Sequence, residues 1–524
     1  MTSTAGVEPA RWDPREIYRS PALLGLGVAS VLSLLWVFLP PSGSDLAAQV
    51  AHANFFAEYG WLPVDMRWFG GTSIFGYSII CPPLMAWLGV STVGVLSTVA
   101  ASSLLGLTLT KCAVPYPRVG VLLGTGCLVA NLVVGRLTFA VGLALALGTA
   151  LCLWLPNARR RMPGLVIGMI LTWAASPLAA LFLAMTGVAL AIRGRRADGS
   201  TLAVTAGLLM LATAALGQGG VMPMSIGDAI RGLLACVVVA FVTRYPLVRL
   251  IAALCALVIV GAFLIPTPVG VNAVRLPALL AVPIAVATSR FRWRVLLPTL
   301  VATLLVIPPM TLSDAVIGQP STQASYFTPL ERQLSRLTLT GRVEIVPTQD
   351  RWEAAYVAND VPLARGWMTQ LDKANNNIFF QPRLTAFAYQ RWLRNNGVQY
   401  VALSDATPSA AGAKEQALIE RGPSFLRPIW SSAHWELFAV RDATDTVEGA
   451  HLVDQNATQI SFLVQTPGRV LVRVHWSQWL TLTGPDGCIA PTPRWTKVVA
   501  GAPGLYVLSS GLLSRDTASQ CPVP

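Results

Sequence analysis

Up to residue 311 the chain is a succession of apolar runs separated by short polar, often basic, loops. Beyond it, apolar and polar positions mix as in an ordinary globular protein. A helix crosses the hydrocarbon core with about 20 apolar residues. Runs near that length occupy residues 22–39, 90–109, 120–134, 137–155, 164–175, 177–192, 201–216, 226–242, 250–265, 271–287 and 295–310. They predict a polytopic α-helical membrane protein of about eleven spans. Several runs are short, which tilt or shielding by neighbouring helices accommodates. The stretch 164–192 reads either as one long or broken helix or as a hairpin turning at Ser176-Pro177. The first run ends in Pro40-Pro41 without a small-residue cleavage site, so it reads as a retained first helix and not a signal peptide.

Charge orients these runs. Only 12% of the 524 residues are charged, against about 25% in a soluble protein. Residues 1–311 hold 20 Lys/Arg against 8 Asp/Glu, whereas 312–524 hold 18 against 17. Of the net charge of +13, +12 therefore lies between the apolar runs, which points to the positive-inside rule and not to a nucleic-acid surface. The clusters are Arg11/Arg15/Arg19, Lys111/Arg118, Arg159/Arg160/Arg161, Arg193/Arg195/Arg196, Arg244/Arg249 and Arg290/Arg292/Arg294. All fall on one side if 164–192 is a hairpin. The amino terminus is then cytoplasmic, and an odd number of spans places the carboxy-terminal region outside the cytoplasmic membrane. Arg67, Arg136, Arg231 and Arg275 break the rule. Each reads either as a headgroup contact or structural ion pair, or as one of several cations converging on an anionic ligand at the outer surface.

The first outer loop, 40–89, is the most informative stretch. Gly43-Ser44-Asp45-Leu46-Ala47-Ala48-Gln49 opens a helix running to about Tyr59, with Ser44 or Asp45 as its cap. Asp45, Gln49 and His52, spaced by four and three, share one helix face. Gly60-Trp61-Leu62-Pro63-Val64-Asp65-Met66-Arg67-Trp68 follows and suits a water–lipid interface. Residues 73–88, apolar but interrupted by Pro82-Pro83, read as a re-entrant or interfacial helix. A carboxylate just beyond the first span can take the proton of an acceptor hydroxyl. Outer arginines can stabilise a departing phosphate. Asp45 thus reads as a helix cap, as a general base, or as both.

With that layout the chain resembles the GT-C membrane glycosyltransferases. The supporting phrases are Asp45 in the first outer loop, Arg136-Leu137-Thr138-Phe139, Ser176-Pro177, and Pro268-Val269-Gly270-Val271-Asn272-Ala273-Val274-Arg275. It also resembles a group of actinobacterial multi-span envelope proteins, some described as transporters. The GT-C resemblance implies an inverting transferase that moves a sugar from a polyprenyl-phosphate donor to a cell-envelope glycan or glycolipid, in contact with membrane lipid and without nucleic acid. It implies Asp45 as the catalytic residue, with Gln49, His52, Asp65, Arg67, Arg136, Arg231 and Arg275 as candidates for binding donor phosphate or substrate. Many such enzymes carry two acids separated by one residue. Here Asp45 is followed by Leu46 and Ala47, which leaves a divalent metal unsupported and no cofactor implied.

The carboxy-terminal region divides by pattern, giving units at 1–311, 312–440 and 441–524. In the second, 341–347 reads as a strand, 385–396 as a helix stopped by Asn396-Gly397, and 398–403 as a buried strand, an α/β arrangement. In the third, 460–465, 469–475 and 505–509 read as strands of a β-sandwich. Trp352 and Trp367, each close to an arginine, are candidates for stacking on an acceptor sugar. Packing against the membrane part is the other reading. Cys488 and Cys521 are a disulfide candidate, since the other six cysteines lie in or beside apolar runs. His434, His451 and His475 are scattered and make no metal site. Two further functional readings stand beside the transferase: a non-catalytic envelope-assembly or lipid-binding protein, and a transporter.

Overall fold

A computed structural model describes residues 20–293, 296–298, 301, 317–511, 520 and 521. Arg11, Arg15, Arg19, Arg294 and most of the expected run 295–310 lie outside these residues. Nearly every other apolar run is the middle of a helix. The bundle comprises α1 (Pro21–Val37), α4 (Val90–Lys111), α5 (Pro117–Val133), α6 (Leu137–Leu151), α7 (Ala158–Ala175), α8 (Pro177–Ile192), α9 (Arg196–Leu216), α10 (Ile226–Val242), α11 (Pro246–Leu264) and α12 (Arg275–Ala287). Between α1 and α4 lie α2 (Ser44–Tyr59) and the short α3 (Cys81–Leu88).

Large apolar side chains face outward along whole helices, as with Val204, Leu208 and Leu211 on α9 and Leu257 and Leu264 on α11. Only lipid makes such faces favourable, and the protein is a multi-pass membrane protein. Among the described residues, five helical segments are long and apolar enough to cross a bilayer: Val90–Lys111, Leu137–Trp154, Arg196–Leu216, Pro246–Leu264 and Gly270–Ala287. Pro21–Val37, Pro117–Val133 and Pro177–Ile192 are shorter apolar helices. The expected count of about eleven is not established, because several helices fall under the length that spans without tilt.

The stretch 164–192 resolves as a hairpin. Ser176 ends α7 and caps α8, its hydroxyl accepting from the Ala179 N–H. The basic loops gather at the end of the bundle remote from α2. Arg195 donates to the Leu153 carbonyl, and Arg161 and Arg195 both pair with Asp198 at the start of α9. The Tyr116 N–H reaches the Ala287 carbonyl, and the Arg244 N–H reaches that of Thr288.

The carboxy-terminal region contains a four-stranded sheet of order β3-β4-β6-β5, built from Arg342–Ile345, Val398–Ser404, Trp435–Val440 and Leu426–Ser431. Its first pair is parallel, with Arg342 opposite Val398 and Ile345 opposite Ala402. The helix Ala386–Asn395 precedes β4, capped by Thr385. A β-sandwich follows. One sheet, β12-β13-β10-β7, joins Gly487–Pro491, Thr496–Ala500, Gly468–Val472 and Val447–Glu448. The other, β11-β14-β9-β8, joins Leu480–Thr483, Gly504–Ser510, Gln459–Val464 and His451–Gln455. A disulfide links Cys488 to Cys521.

The loop after α2 is built into this region. Its two-stranded ribbon pairs β1 (Val64–Asp65) with β2 (Thr72–Ser73). Val64 and Met66 are buried in the sandwich core with Phe462, Val472, Ile489 and Tyr506. The Met66 N–H donates to the Ala457 carbonyl, and the His475 N–H to that of Gly70. A second apolar cluster runs from Trp36, Leu46 and Leu137 of the bundle to Phe327, Trp352 and Trp435. The carboxy-terminal region is thus continuous in packing with the end of the bundle that carries α2.

Candidate functional site

Where these parts meet, the structure encloses a cavity of about 710 Å³. Its polar wall includes Asp45, Tyr77, Arg136, Thr138, Asn272 and Arg275. Apolar side chains of the bundle, among them Phe139, Leu178, Leu181, Met210 and Val274, make a greasy wall. Arg351, Trp367, Met368 and Gln370 reach it from the carboxy-terminal region.

Asp45 arrives through a backbone device. Gly43 precedes α2 with φ at +76°, a left-handed conformation that costs glycine little. A Cβ there would stand 2.3 Å from the Val134 carbonyl oxygen. The start of α2 therefore lies directly against the turn carrying Arg136. The expectation that Ser44 or Asp45 caps this helix is corrected: Gly43 is the cap residue and no side chain caps the end. Asp45 lies in the first turn, with its carboxylate turned to guanidinium groups. Arg136 Nε donates to Asp45 Oδ2 at 2.9 Å, and Arg275 Nη2 lies 3.5 Å from the same oxygen. Arg275 heads α12, after a 3-10 turn at Gly270–Val274.

The face of α2 that carries Asp45 converges on Tyr77, a residue the sequence pattern did not single out. Gln49 Nε2 donates to the Tyr77 hydroxyl at 2.6 Å and Thr138 Oγ1 at 3.4 Å. Burial and the Asp45 charge push Tyr77 up to about 12, so it remains a phenol. His52 stacks on the far side of the Tyr77 ring at 5.1 Å and meets Trp68 edge-on at 5.4 Å. Its Nε2 is buried without a partner, and burial lowers its pKa to about 4. Gln49 and His52 thus stand behind Tyr77 and do not line the cavity.

Other candidates lie elsewhere. Asp65 and Arg67 form a buried pair, Nη2 to Oδ2 at 2.9 Å. The remaining donors of Arg67 go to the Ala51 carbonyl and to Asn359 Oδ1. That pair fastens the first outer loop to the carboxy-terminal region and is absent from the cavity wall. Arg231 lies 3.7 Å from Asp228, one turn earlier on α10; Asp228 lines the cavity and Arg231 does not. Trp352 is buried against Tyr356, ring to ring at 5.2 Å, away from the cavity. Trp367 does line it, and its indole N–H donates to the Ser44 carbonyl at 2.6 Å.

Arg351, next to Trp352 in the sequence, also reaches the cavity wall. Its Nη1 donates to the Trp367 carbonyl at 2.7 Å. In the sequence it stands between Asp350 and Trp352-Glu353 with nothing local to mark it, because its approach to the cavity is set by long-range packing. Among the described residues, no group of three or more His, Cys, Asp or Glu side chains could hold a metal ion.

No family model and no curated protein match the chain. Among solved structures it is similar to cryo-EM structures of the arabinofuranosyltransferase AftD from Mycobacteria. One has 13% identity and TM-score 0.43, covering 94% of this chain and 57% of that chain. A mutant form of AftD has 12% identity and TM-score 0.44, covering 94% and 60%. The chain therefore spans less than two thirds of the AftD chains it matches.

Proposed function

We propose that this protein is a GT-C-type membrane glycosyltransferase. It transfers a sugar from a polyprenyl-phosphate donor to an envelope glycan or glycolipid, on the outer face of the cytoplasmic membrane. One observation carries the reading: Asp45 opens onto a large cavity, half greasy and half polar, between two guanidinium groups. The apolar wall suits a polyprenyl chain and the polar wall a sugar phosphate.

The reaction follows from those groups. The acceptor hydroxyl oxygen attacks the anomeric carbon from the face opposite the phosphate, inverting it. The bond between that carbon and the phosphate oxygen breaks, and the electron pair leaves with the phosphate. Arg136 and Arg275 stabilise the charge that develops there. Asp45 takes the hydroxyl proton as general base. As folded, both arginines rest on Asp45. A donor phosphate competes for the same N–H groups and frees the carboxylate for the acceptor. Donor binding thereby prepares the base.

The same reading makes the amino terminus cytoplasmic and residues 312–440 and 441–524 two extracytoplasmic domains on a membrane domain 1–311. The gathering of basic loops at the end remote from the cavity supports this orientation. Gln49 positions Tyr77, and Trp367 is placed to meet an acceptor sugar.

Transfer of radiolabelled sugar from a polyprenyl-phosphate donor by the purified full chain tests the reading. Asp45→Asn should lower the rate by about 10²–10⁴-fold, the usual worth of a general base, while donor lipid still binds. Undiminished transfer by that variant would remove Asp45 from the chemistry. A lipid-binding protein without catalysis is the second reading, favoured by the two ion contacts that occupy Asp45. Binding of the lipid phosphate with no transfer by the unaltered chain would select it.

A further inference from the structure

Arg351 adopts φ +57°, in the left-handed region. A non-glycine residue is held there against steric strain, and such outliers gather at binding sites. A buried polar turn keeps it in place. The Arg351 N–H donates to Thr348 Oγ1 at 3.0 Å. That oxygen lies 2.8 Å from Asp350 Oδ1 and 2.6 Å from Glu353 Oε2. A threonine hydroxyl has one proton for these two carboxyl groups. Burial pushes the Glu353 carboxyl up to about 7, which eases the crowding of two acids on one hydroxyl. Asp350 is held from its other oxygen by Ser321 at 2.7 Å.

From this turn the side chain reaches the cavity wall. The residue is 8% exposed. Only Nη1 is engaged, by the Trp367 carbonyl and, at 3.5 Å, that of Gly366. Among the described residues no carboxylate lies within 4 Å of the guanidinium, and no acceptor meets Nε or Nη2. A buried guanidinium with no carboxylate in contact is costly, and Asp372, Glu353 and Asp45 act on this one only at longer range. The Nε–Nη2 edge is the geometry that grips two oxygens of one phosphate or carboxylate. Along the cavity wall Arg136, Arg275 and Arg351 set three positive charges against the two carboxylates Asp45 and Asp228, and Asp228 lies 3.7 Å from Arg231.

We propose that Arg351 is a third phosphate-binding residue of the cavity, delivered by the carboxy-terminal region, and grips phosphate oxygens through its Nε–H and Nη2–H edge. The proposal rests on the donor-phosphate reading above. It makes the soluble part of the chain a contributor to the donor site and not only to an acceptor site. The strain at φ +57° is then the local cost of aiming the guanidinium into the cavity.

The test measures equilibrium binding to the full chain in detergent, with polyprenyl monophosphate, polyprenyl diphosphate and inorganic phosphate as probes. The informative variant is Arg351→Gly, because glycine accepts the backbone conformation and the fold should keep its thermal midpoint. Arg351→Gly should weaken polyprenyl monophosphate binding at least tenfold. Arg351→Lys should fall between, since a point charge replaces a fork. Arg351→Lys also serves as the binding-deficient variant should the glycine variant not fold. A parallel loss for inorganic phosphate assigns the contact to the phosphate itself. A larger loss for the diphosphate than for the monophosphate places Arg351 on the second phosphate. Loss confined to inorganic phosphate, or affinity for the lipid probes within twofold of the unaltered chain, overturns the proposal. If Arg136→Ala abolishes lipid binding while Arg351→Gly does not, the donor reading survives without it. If the unaltered chain binds no probe, both fall.

Discussion

A histidine enclosed between Tyr77 and Trp68 makes the site sensitive to acid. His52 binds a proton near 6.5 in the unfolded chain and near 4 once folded, chiefly because burial disfavours the cation. Between those values the unfolded chain binds more protons, so stability falls as pH drops from about 6.5 towards 4. The effect is fully present, in the stable sense, above the unfolded value. A shift of that size corresponds to roughly 3 kcal/mol. The thermal midpoint of the detergent-solubilised protein should drop across that window, and His52→Phe should flatten the profile. A variant that keeps the full slope would show that other groups carry it. At this scale the sequence was informative about face and silent about partner. The spacing of Asp45, Gln49 and His52 put them on one side of α2, and they do converge. The partner of Gln49 and His52, Tyr77, lies 25 residues past His52 in an irregular loop where no period operates. From the sequence Arg67 reads either as a headgroup contact or structural ion pair, or as a cation for an anionic ligand, and Asp65 as a companion acid. Two residues apart on a short extended segment, they pair with each other and are buried under residues 359 and 363.

Elements bring the site together through backbone contacts. The α2 start and the turn before α6 touch at Gly43 and Gly135. A Cβ on Gly135 would lie 2.4 Å from the Leu46 nitrogen, and its φ is +81°. This approach lets Arg136 reach Asp45. Gly43→Ala would put a side chain into the Val134 carbonyl and force a left-handed alanine. A cost of about 1–3 kcal/mol follows from strain alone, with more from the clash. The expected result is a lower thermal midpoint together with a loss of lipid-phosphate affinity larger than that of a distant variant of equal stability. Unchanged affinity would mean that the contact does not position Asp45. Apolar runs located the helices well because burial in lipid imposes one rule on every span. Their ends were less legible. α7 begins at Ala158, six residues before the apolar run, and α9 at Arg196, because arginines that pair with Asp198 or reach helix-end carbonyls extend a helix past the hydrocarbon core. The α/β strands and the helix 386–395 were also near their expected places, where periodicity and Asn396-Gly397 act locally.

At the scale of the whole molecule, the first outer loop is a structural part of the β-sandwich nearly four hundred residues later. Val64 and Met66 fill its core, and the Met66 and His475 backbones bridge the two segments. Nothing in the local pattern of Trp61–Arg67 predicts this, since packing across such a separation depends on the assembled fold. The cavity inherits the coupling, for α2 leads into this loop and Trp367 holds the Ser44 carbonyl from the other side. Met66→Asp in the full chain tests the connection. An unpaired carboxylate in that apolar core costs several kcal/mol, yet Met66 belongs by sequence to the membrane part. If loop and sandwich are one folding unit, limited trypsin digestion should open both Arg67 and sites such as Arg469 and Arg473 at the same protease concentration. The bundle helices would stay protected by detergent. Cleavage at Arg67 with the sandwich still resistant would show two independent parts, and the sandwich would then have no lever on Asp45.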